Sequence, residues 1–171
     1  IIGDVMIAVG QKLPNATLYE FMNEESEGCS LGPNAFEVEK LLAGKKIVIF
    51  ALPGAFTPTC SAKHVPGYVE HYDAIKAKGV DEIWCISVND PFVMGAWGRD
   101  QKVGKKIRMM GDGSAEFTKK VGLELDLTAR GLGVRSDRYA MIVEDGVVKS
   151  LDREAPGKFE VSDAASILKK L

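Results

Sequence analysis

The greatest capacity for covalent chemistry lies at Cys60, which ends the run Pro53-Gly-Ala-Phe-Thr57-Pro-Thr-Cys60 just after an apolar, β-branched segment. Thr57 is a preferred N-cap type and Pro58 suits the first helical position, so the pair marks a helix start. Counting onward puts Cys60 in the first turn. There the unpaired backbone N–H groups and the positive end of the helix dipole stabilise a thiolate, the form of cysteine that acts as a nucleophile. Thr59 and Ser61 are small and polar, and the Gly54-Ala-Phe approach lies at a strand's carboxyl end, where α/β sites gather, so Cys60 is expected to be reachable. The competing reading is a small apolar residue packed in a helix, the commoner fate of a lone cysteine. Spacing alone does not name the reaction.

The elements around Cys60 follow from periodicity. The run 46–52, Lys-Ile-Val-Ile-Phe-Ala-Leu, lies between Gly44 and Pro53 and reads as a central strand buried on both faces. From Pro58, the residues Val65, Tyr68, Val69, Tyr72 and Ile75 recur at helical spacing until Gly79, with Pro66 predicting a kink near Ala62. A strand at 81–88, a helix through Phe92, Val93, Ala96 and Trp97 and a short strand at 107–110 imply parallel pairing. Ser114 is the expected N-cap of a helix at 115–121. Asp145-Gly146 joins two strands as a hairpin, and Ser162 is the expected cap of a last helix. The longest irregular stretch is 23–34. A central mixed β-sheet flanked by helices, with βαβ first and a hairpin then helix last, is a thioredoxin-like α/β fold, expected to occupy 1–171 as a single domain. Fold alone assigns no chemistry.

Composition narrows the function. With 171 residues, 46% apolar and 27% charged, the chain has the balance of one globular domain. Its 22 basic and 24 acidic residues, for a net charge of -2, argue against nucleic acid or a membrane surface as the main partner. No apolar run approaches a membrane span, and Ile1-Ile-Gly-Asp is not a basic region followed by an apolar one. Three cysteines, Cys29, Cys60 and Cys85, form no Cys-x-x-Cys pair and no disulfide framework, which points to a reducing, cytoplasmic setting. With only His64 and His71 beside them, a structural zinc site is not expected.

The residues around Cys60 carry a resemblance. Pro53-Gly-Ala-Phe-Thr57-Pro-Thr-Cys60 matches the Pro-x-x-x-Thr-x-x-Cys signature of peroxiredoxins. Ser61-Ala-Lys-His64-Val-Pro66-Gly-Tyr, Ser87-Val-Asn-Asp-Pro-Phe-Val-Met-Gly-Ala-Trp97 and Arg135-Ser-Asp-Arg138-Tyr-Ala-Met are similar to the type II, or peroxiredoxin 5, subfamily. The resemblance implies a thioredoxin-like fold, reduction of hydrogen peroxide and alkyl hydroperoxides, no cofactor, no metal and a homodimer. It implies that Cys60 attacks the peroxide as a thiolate and becomes a sulfenic acid. Thr57 would then hydrogen-bond the peroxide and the sulfur, Pro53 shield the pocket, and Arg138 favour the thiolate and the transition state. Periodicity cannot say which of Arg135 and Arg138 points inward. Phe92 and Trp97 fall near the family's interface segment and are expected as dimer contacts.

Regeneration needs a second thiol. Cys85, 25 residues after Cys60, matches the cysteine pair of plant-type members, in which the second is proposed to resolve the first. No cysteine occurs from residue 154 to the C-terminus, where other members carry theirs. If Cys85 resolves, the first turn around Cys60 has to unwind, since a disulfide needs Cα atoms within about 7 Å. The bland reading of Cys85 is an inert thiol on a sheet. Otherwise glutathione, glutaredoxin or thioredoxin reduces Cys60 directly. Cys29 is expected to be an exposed loop thiol, and His64 a polar side chain on the helix surface that could contact Cys60. The alternatives are a thiol-disulfide oxidoreductase, in which Thr57 stands where a first cysteine is needed, a Cys60–His64 hydrolase lacking an acidic partner, and a non-enzymatic redox-sensing or chaperone protein.

Overall fold

The computed structural model describes residues 6–23 and 29–171. The N-terminal Ile1-Ile-Gly-Asp stretch and 24–28 of the expected irregular region lie outside these. The strand read at 46–52 forms as β3, Lys46–Ala51, and every residue from Ile47 to Leu52 is buried. It pairs in parallel with β4, Glu82–Ser87, which pairs in parallel with β5, Arg108–Gly111. On its other side β3 runs antiparallel to β8, Tyr139–Glu144, which returns through Asp145 and Gly146 as β9, Val147–Arg153. Asp145 has φ 46° and Gly146 φ 80°, the left-handed pair that a two-residue turn of this hand requires.

An N-terminal hairpin that the periodicity did not reveal completes the sheet. Its strands, β1 (Thr17–Met22) and β2 (Gly32–Glu37), sit at the edge in the order β2-β1-β5-β4-β3-β8-β9. β2 half-exposes alternate residues and contains Pro33, so it lacks the apolar run that marks an interior strand. A second antiparallel pair, β6 (Glu124–Leu127) and β7 (Gly133–Ser136), forms outside the main sheet. The mixed sheet with helices on both faces is the thioredoxin-like arrangement.

Strand alternation sorts the sheet into two faces. Ile47, Ile49, Trp84, Ile86 and Tyr139 point to one side, covered by α1 (Val38–Leu42) and α5 (Glu116–Lys120). Val48, Phe50, Ile83, Cys85 and Ala140 point to the other, beneath Cys60, Tyr68, Trp97 and Ile167. Cys60 and Cys85 therefore share one face of the sheet.

The helix read from Pro58 to Gly79 is interrupted twice. A helical turn starts at Pro58 and widens into a π-helical turn at Cys60–His64, then continues as α2, Val65–Glu70, and after a break at His71 as α3, Tyr72–Ala77. Pro66 has no N–H for the carbonyl of Ala62, and the ladder shifts register: Val65 N–H donates to the carbonyl of Cys60 instead of Ser61. The kink expected near Ala62 is this widened turn.

Two expected caps are corrected. Ser114 does not cap α5: Ala115 takes the cap position at φ 57°, and the buried carboxylate of Asp112 accepts from the N–H groups of Phe117 and Thr118. Ser162 does not cap the last helix, α6 (Ala164–Leu168), because Asp163 accepts from Ser166 N–H there. A carboxylate within reach outcompetes a hydroxyl for these donors.

Candidate active site

Cys60 is fully buried, which corrects the expectation that it is reachable. The reason is the face it occupies. Cys60, His64 and Tyr68 recur every four residues and all point onto the sheet, where Tyr68 stacks on Phe50 at 4.0 Å between ring centroids. The loop before the helix closes over this face. Ala55 N–H donates to Asn89 Oδ1, which also accepts from Ser87 Oγ, so Asn89 ties the 53–57 loop to the end of β4. Phe56 adopts φ 63° and is exposed, and Pro53 and Thr57 are half-buried at the rim.

Thr57 does stand at the helix start, with its carbonyl accepting from Ser61 N–H at 2.9 Å. Its hydroxyl caps no helical N–H. It donates to the carbonyl of Gly54 at 2.7 Å, leaving its oxygen lone pairs to accept.

Arg138 is the arginine that reaches the sulfur. Its Nη2 donates to Cys60 Sγ at 3.1 Å, while Nη1 lies 2.8 Å from His64 Nδ1. Arg135 lies on the other side of the loop, donating from Nε to Leu132 O and from Nη1 to Pro53 O. The contact on Gly54 is close: a Cβ there would lie 2.9 Å from Arg135 Nη1, so a side chain at this position would displace the guanidinium.

His64 is not a surface side chain, and the expectation is corrected. It is fully buried between Phe50, at 4.9 Å, and Phe159, at 5.0 Å between centroids. Its place four residues before the inward Tyr68 was the sequence signal for this. Arg138 has only hydrogens to offer, so Nδ1 must accept, and the proton sits on Nε2, which donates to Ser162 O at 3.1 Å. Burial, and after it the charge of Arg138, push the pKa of His64 down to about 3. Since a free imidazole protonates near pH 6.5, the unfolded chain binds a proton between pH 6.5 and 3 that the native state refuses. This part of the stability is complete above pH 6.5 and is lost as the pH falls. Urea unfolding should therefore show native stability falling by up to about 1.4 kcal/mol per pH unit in this window through His64. His64→Phe should flatten that slope, and an unchanged slope would refute the account.

Cys85 is fully buried opposite Phe50 of β3 and Met109 of β5. Burial, and after it the electrostatic interaction with Cys60, push its thiol well above the ordinary value. Cys29 is half-buried, not freely exposed. Trp97 is corrected as a surface contact: it is fully buried and its Nε1 donates to Ser61 Oγ at 3.0 Å, which tethers α4, Pro91–Asp100, to the widened turn. Phe92 of the same helix is exposed. Among the described residues, no group of three or more His, Cys, Asp or Glu side chains could hold a metal ion, and no helix is long and apolar enough to cross a membrane. A groove of about 420 Å³ between α4 and β1 is lined by Phe21, Arg99 and Met109 among others and includes none of Cys60, Thr57, Pro53 and Arg138.

Residues 8–168 match the model of the Redoxin family. Peroxiredoxin-2B of Arabidopsis thaliana is 49% identical over 96% of this chain and 98% of its own length. This chain belongs to the peroxiredoxin family. The crystal structure of reduced Prx3 of Vibrio vulnificus in complex with H2O2 is 53% identical, with a TM-score of 0.89 over 96% of this peroxiredoxin and 99% of that chain. A Burkholderia cenocepacia protein, provisionally described as a thioredoxin reductase, is 65% identical with a TM-score of 0.97 over 98% of this peroxiredoxin and 99% of that chain. The type II resemblance drawn from the motifs agrees with these relatives. The peroxiredoxin is a thiol-dependent peroxidase, an oxidoreductase acting on peroxides at the expense of thiols.

Proposed function

We propose that Cys60 is the thiolate that this peroxidase oxidises, with Arg138, Thr57 and Pro53 forming the pocket around it. The observation that carries the reading is the 3.1 Å contact from Arg138 Nη2 to Cys60 Sγ, a permanent cation placed on the sulfur of a buried cysteine. The thiolate attacks one peroxide oxygen; the S–O bond forms as the O–O bond breaks, sulfur loses two electrons, and the leaving oxygen takes a proton to depart as water or an alcohol. Negative charge moves from sulfur to the leaving oxygen. A guanidinium beside both atoms stabilises the transition state without having to reorganise. Thr57, its own proton committed to Gly54, accepts from a peroxide O–H and so orients the substrate. A fully buried sulfur behind Pro53 and Phe56 favours a substrate as small as hydrogen peroxide or a slender alkyl hydroperoxide, and the complex of the Vibrio relative with H2O2 supports this.

Cys85 or an external thiol, namely glutathione, glutaredoxin or thioredoxin, completes the cycle. Cys85 shares the sheet face of Cys60, but it is held at the sheet centre with a raised thiol, so it attacks only if the turn carrying Cys60 opens. The exposed rings of Phe56 and Phe92 suit a homodimer interface, and the free thiols suit a reducing compartment such as the cytoplasm. In this reading 1–171 is a single domain that carries the peroxide-reducing step.

Stopped-flow mixing with hydrogen peroxide tests it, using the fluorescence of Trp97, which is bonded to the residue after Cys60. One thiol per chain should disappear far faster than in free cysteine, and mass analysis should place the oxidation on Cys60. A Cys60–Cys85 disulfide after one equivalent identifies the internal route. A sulfenic or glutathionylated Cys60 with free Cys85 identifies the external one. Absence of the fast phase would refute the assignment.

A further inference from the structure

Glu154 lies outside every motif around Cys60, just after β9, yet its carboxylate is almost fully buried and fully engaged. Oε2 accepts from the N–H groups of Glu160 (2.9 Å), Val161 (2.9 Å) and Ser162 (2.8 Å) and from Ser162 Oγ (2.7 Å); Oε1 accepts from Glu160 N–H alone. One acceptor group thus pins the chain at 160–162. The pinned segment presents the carbonyl of Ser162 inward, where it accepts from Tyr68 OH at 2.7 Å and lies 3.1 Å from His64 Nε2.

That carbonyl decides the state of His64. A carbonyl only accepts, so it requires a proton on Nε2 and leaves Nδ1 bare for Arg138. Glu154 also reaches Arg138 directly, because its own N–H donates to the Arg138 carbonyl at 2.9 Å. The arginine is therefore held twice by one residue: at its backbone by the Glu154 N–H, and at its guanidinium through Ser162 and His64.

We propose that Glu154 is a positioning residue of the peroxidase site, acting through the Ser162 carbonyl and the tautomer of His64 to hold Arg138 on Cys60. The proposal rests on the reading of Cys60 as the reacting thiolate. Glu154 touches neither substrate nor sulfur; its part is to fix where the guanidinium points and to keep the histidine in one tautomer. Without the carboxylate, the 160–162 segment loses its four-donor anchor, the Ser162 carbonyl is free to move, and His64 can take its proton on Nδ1. That hydrogen would confront Arg138 Nη1 and drive the guanidinium from the sulfur.

The test begins with the wild-type protein. Long-range 15N–1H correlation of the His64 ring should show the Nε2–H tautomer, neutral across pH 5 to 8. Nδ1–H, or protonation near neutrality, overturns the proposal without any variant. Glu154→Gln keeps the acceptor on the crowded side, since its amide oxygen can replace Oε2 while the NH2 faces only Glu160; Glu154→Ala removes it. The second-order rate with hydrogen peroxide should fall in the order wild type, Glu154→Gln, Glu154→Ala, the last by about tenfold, the scale of one lost hydrogen bond to a charged group. In Glu154→Ala the His64 signature should become mixed between the two tautomers. A merely structural role would lower the melting temperature and leave the tautomer and the rate of the folded protein unchanged, and that outcome overturns the proposal. Wild type without peroxide reactivity overturns instead the reading of Cys60 on which it rests.

Discussion

Cys60→Ser is expected to abolish the fast reaction with hydrogen peroxide, lowering the second-order rate by at least about 10⁴-fold, the scale seen when an essential nucleophile is deleted. The hydroxyl does not ionise beside Arg138, and a neutral oxygen does not attack a peroxide. The substitution is conservative in volume, and the helix start it occupies is set by Pro58 and by the Ser61 N–H bond to Thr57 O, neither of which involves the sulfur. The variant should therefore fold, and circular dichroism with a thermal melt separates loss of chemistry from loss of structure. Cys29 and Cys85 remain as internal controls. Cys29 is half-buried and is not the cysteine that Arg138 contacts, and Cys85 is buried with a raised thiol, so neither replaces Cys60. A Cys60→Ser protein that still consumes peroxide at the wild-type rate would move the activity to another residue.

What the sequence disclosed about this site depended on range. The helix start at Thr57-Pro58 and the strand that feeds it are local signals, readable because cap chemistry and β-branched runs act over a few residues. The consequence of Pro66 was also local: it offers no N–H to the carbonyl of Ala62, which lies within the widened turn Cys60–His64. The inward face was half-legible. The spacing that placed Tyr68 in the core also placed His64 and Cys60 there, but a histidine reads as polar until its hydrogen-bond partners are known. Those partners are remote: Arg138 is 74 residues from His64, and Ser162 is 98. Nothing in a linear pattern announces that a loop carbonyl will meet an imidazole. For the same reason the choice between Arg135 and Arg138 awaited the fold, because β7 ends at Ser136 and the chain turns between the two side chains before β8. Ser162 was read as a helix cap and Asn89 only as part of a motif, and the site roles of both, like that of Glu154, escaped the reading because they hold backbone or present a carbonyl, which leaves no signature of residue type.

Arg138→Met should show how much of the reactivity belongs to charge placed on the sulfur. Methionine retains a long side chain that can lie along Phe159, over which the guanidinium now sits at 5.8 Å, but it donates no hydrogen bond. Two contacts are lost together: the donor to Cys60 Sγ and the donor to His64 Nδ1. The first should dominate the rate. Removing one preorganised donor from a developing negative charge costs about 10²–10³-fold in catalysis, so the second-order rate with hydrogen peroxide should fall by that factor. Arg138→Lys retains charge without the planar fork. A single ammonium cannot hold the sulfur and His64 Nδ1 in the same geometry, and its rate should lie between wild type and the methionine variant. Most of the loss should persist at high salt, because the contact is short and part-buried and is screened less than an exposed pair. If Arg138→Met reacts within about threefold of wild type while Arg135→Met reacts 100-fold more slowly, the roles of the two arginines are exchanged. The guanidinium over the Pro53 carbonyl would then be the one that serves the peroxide.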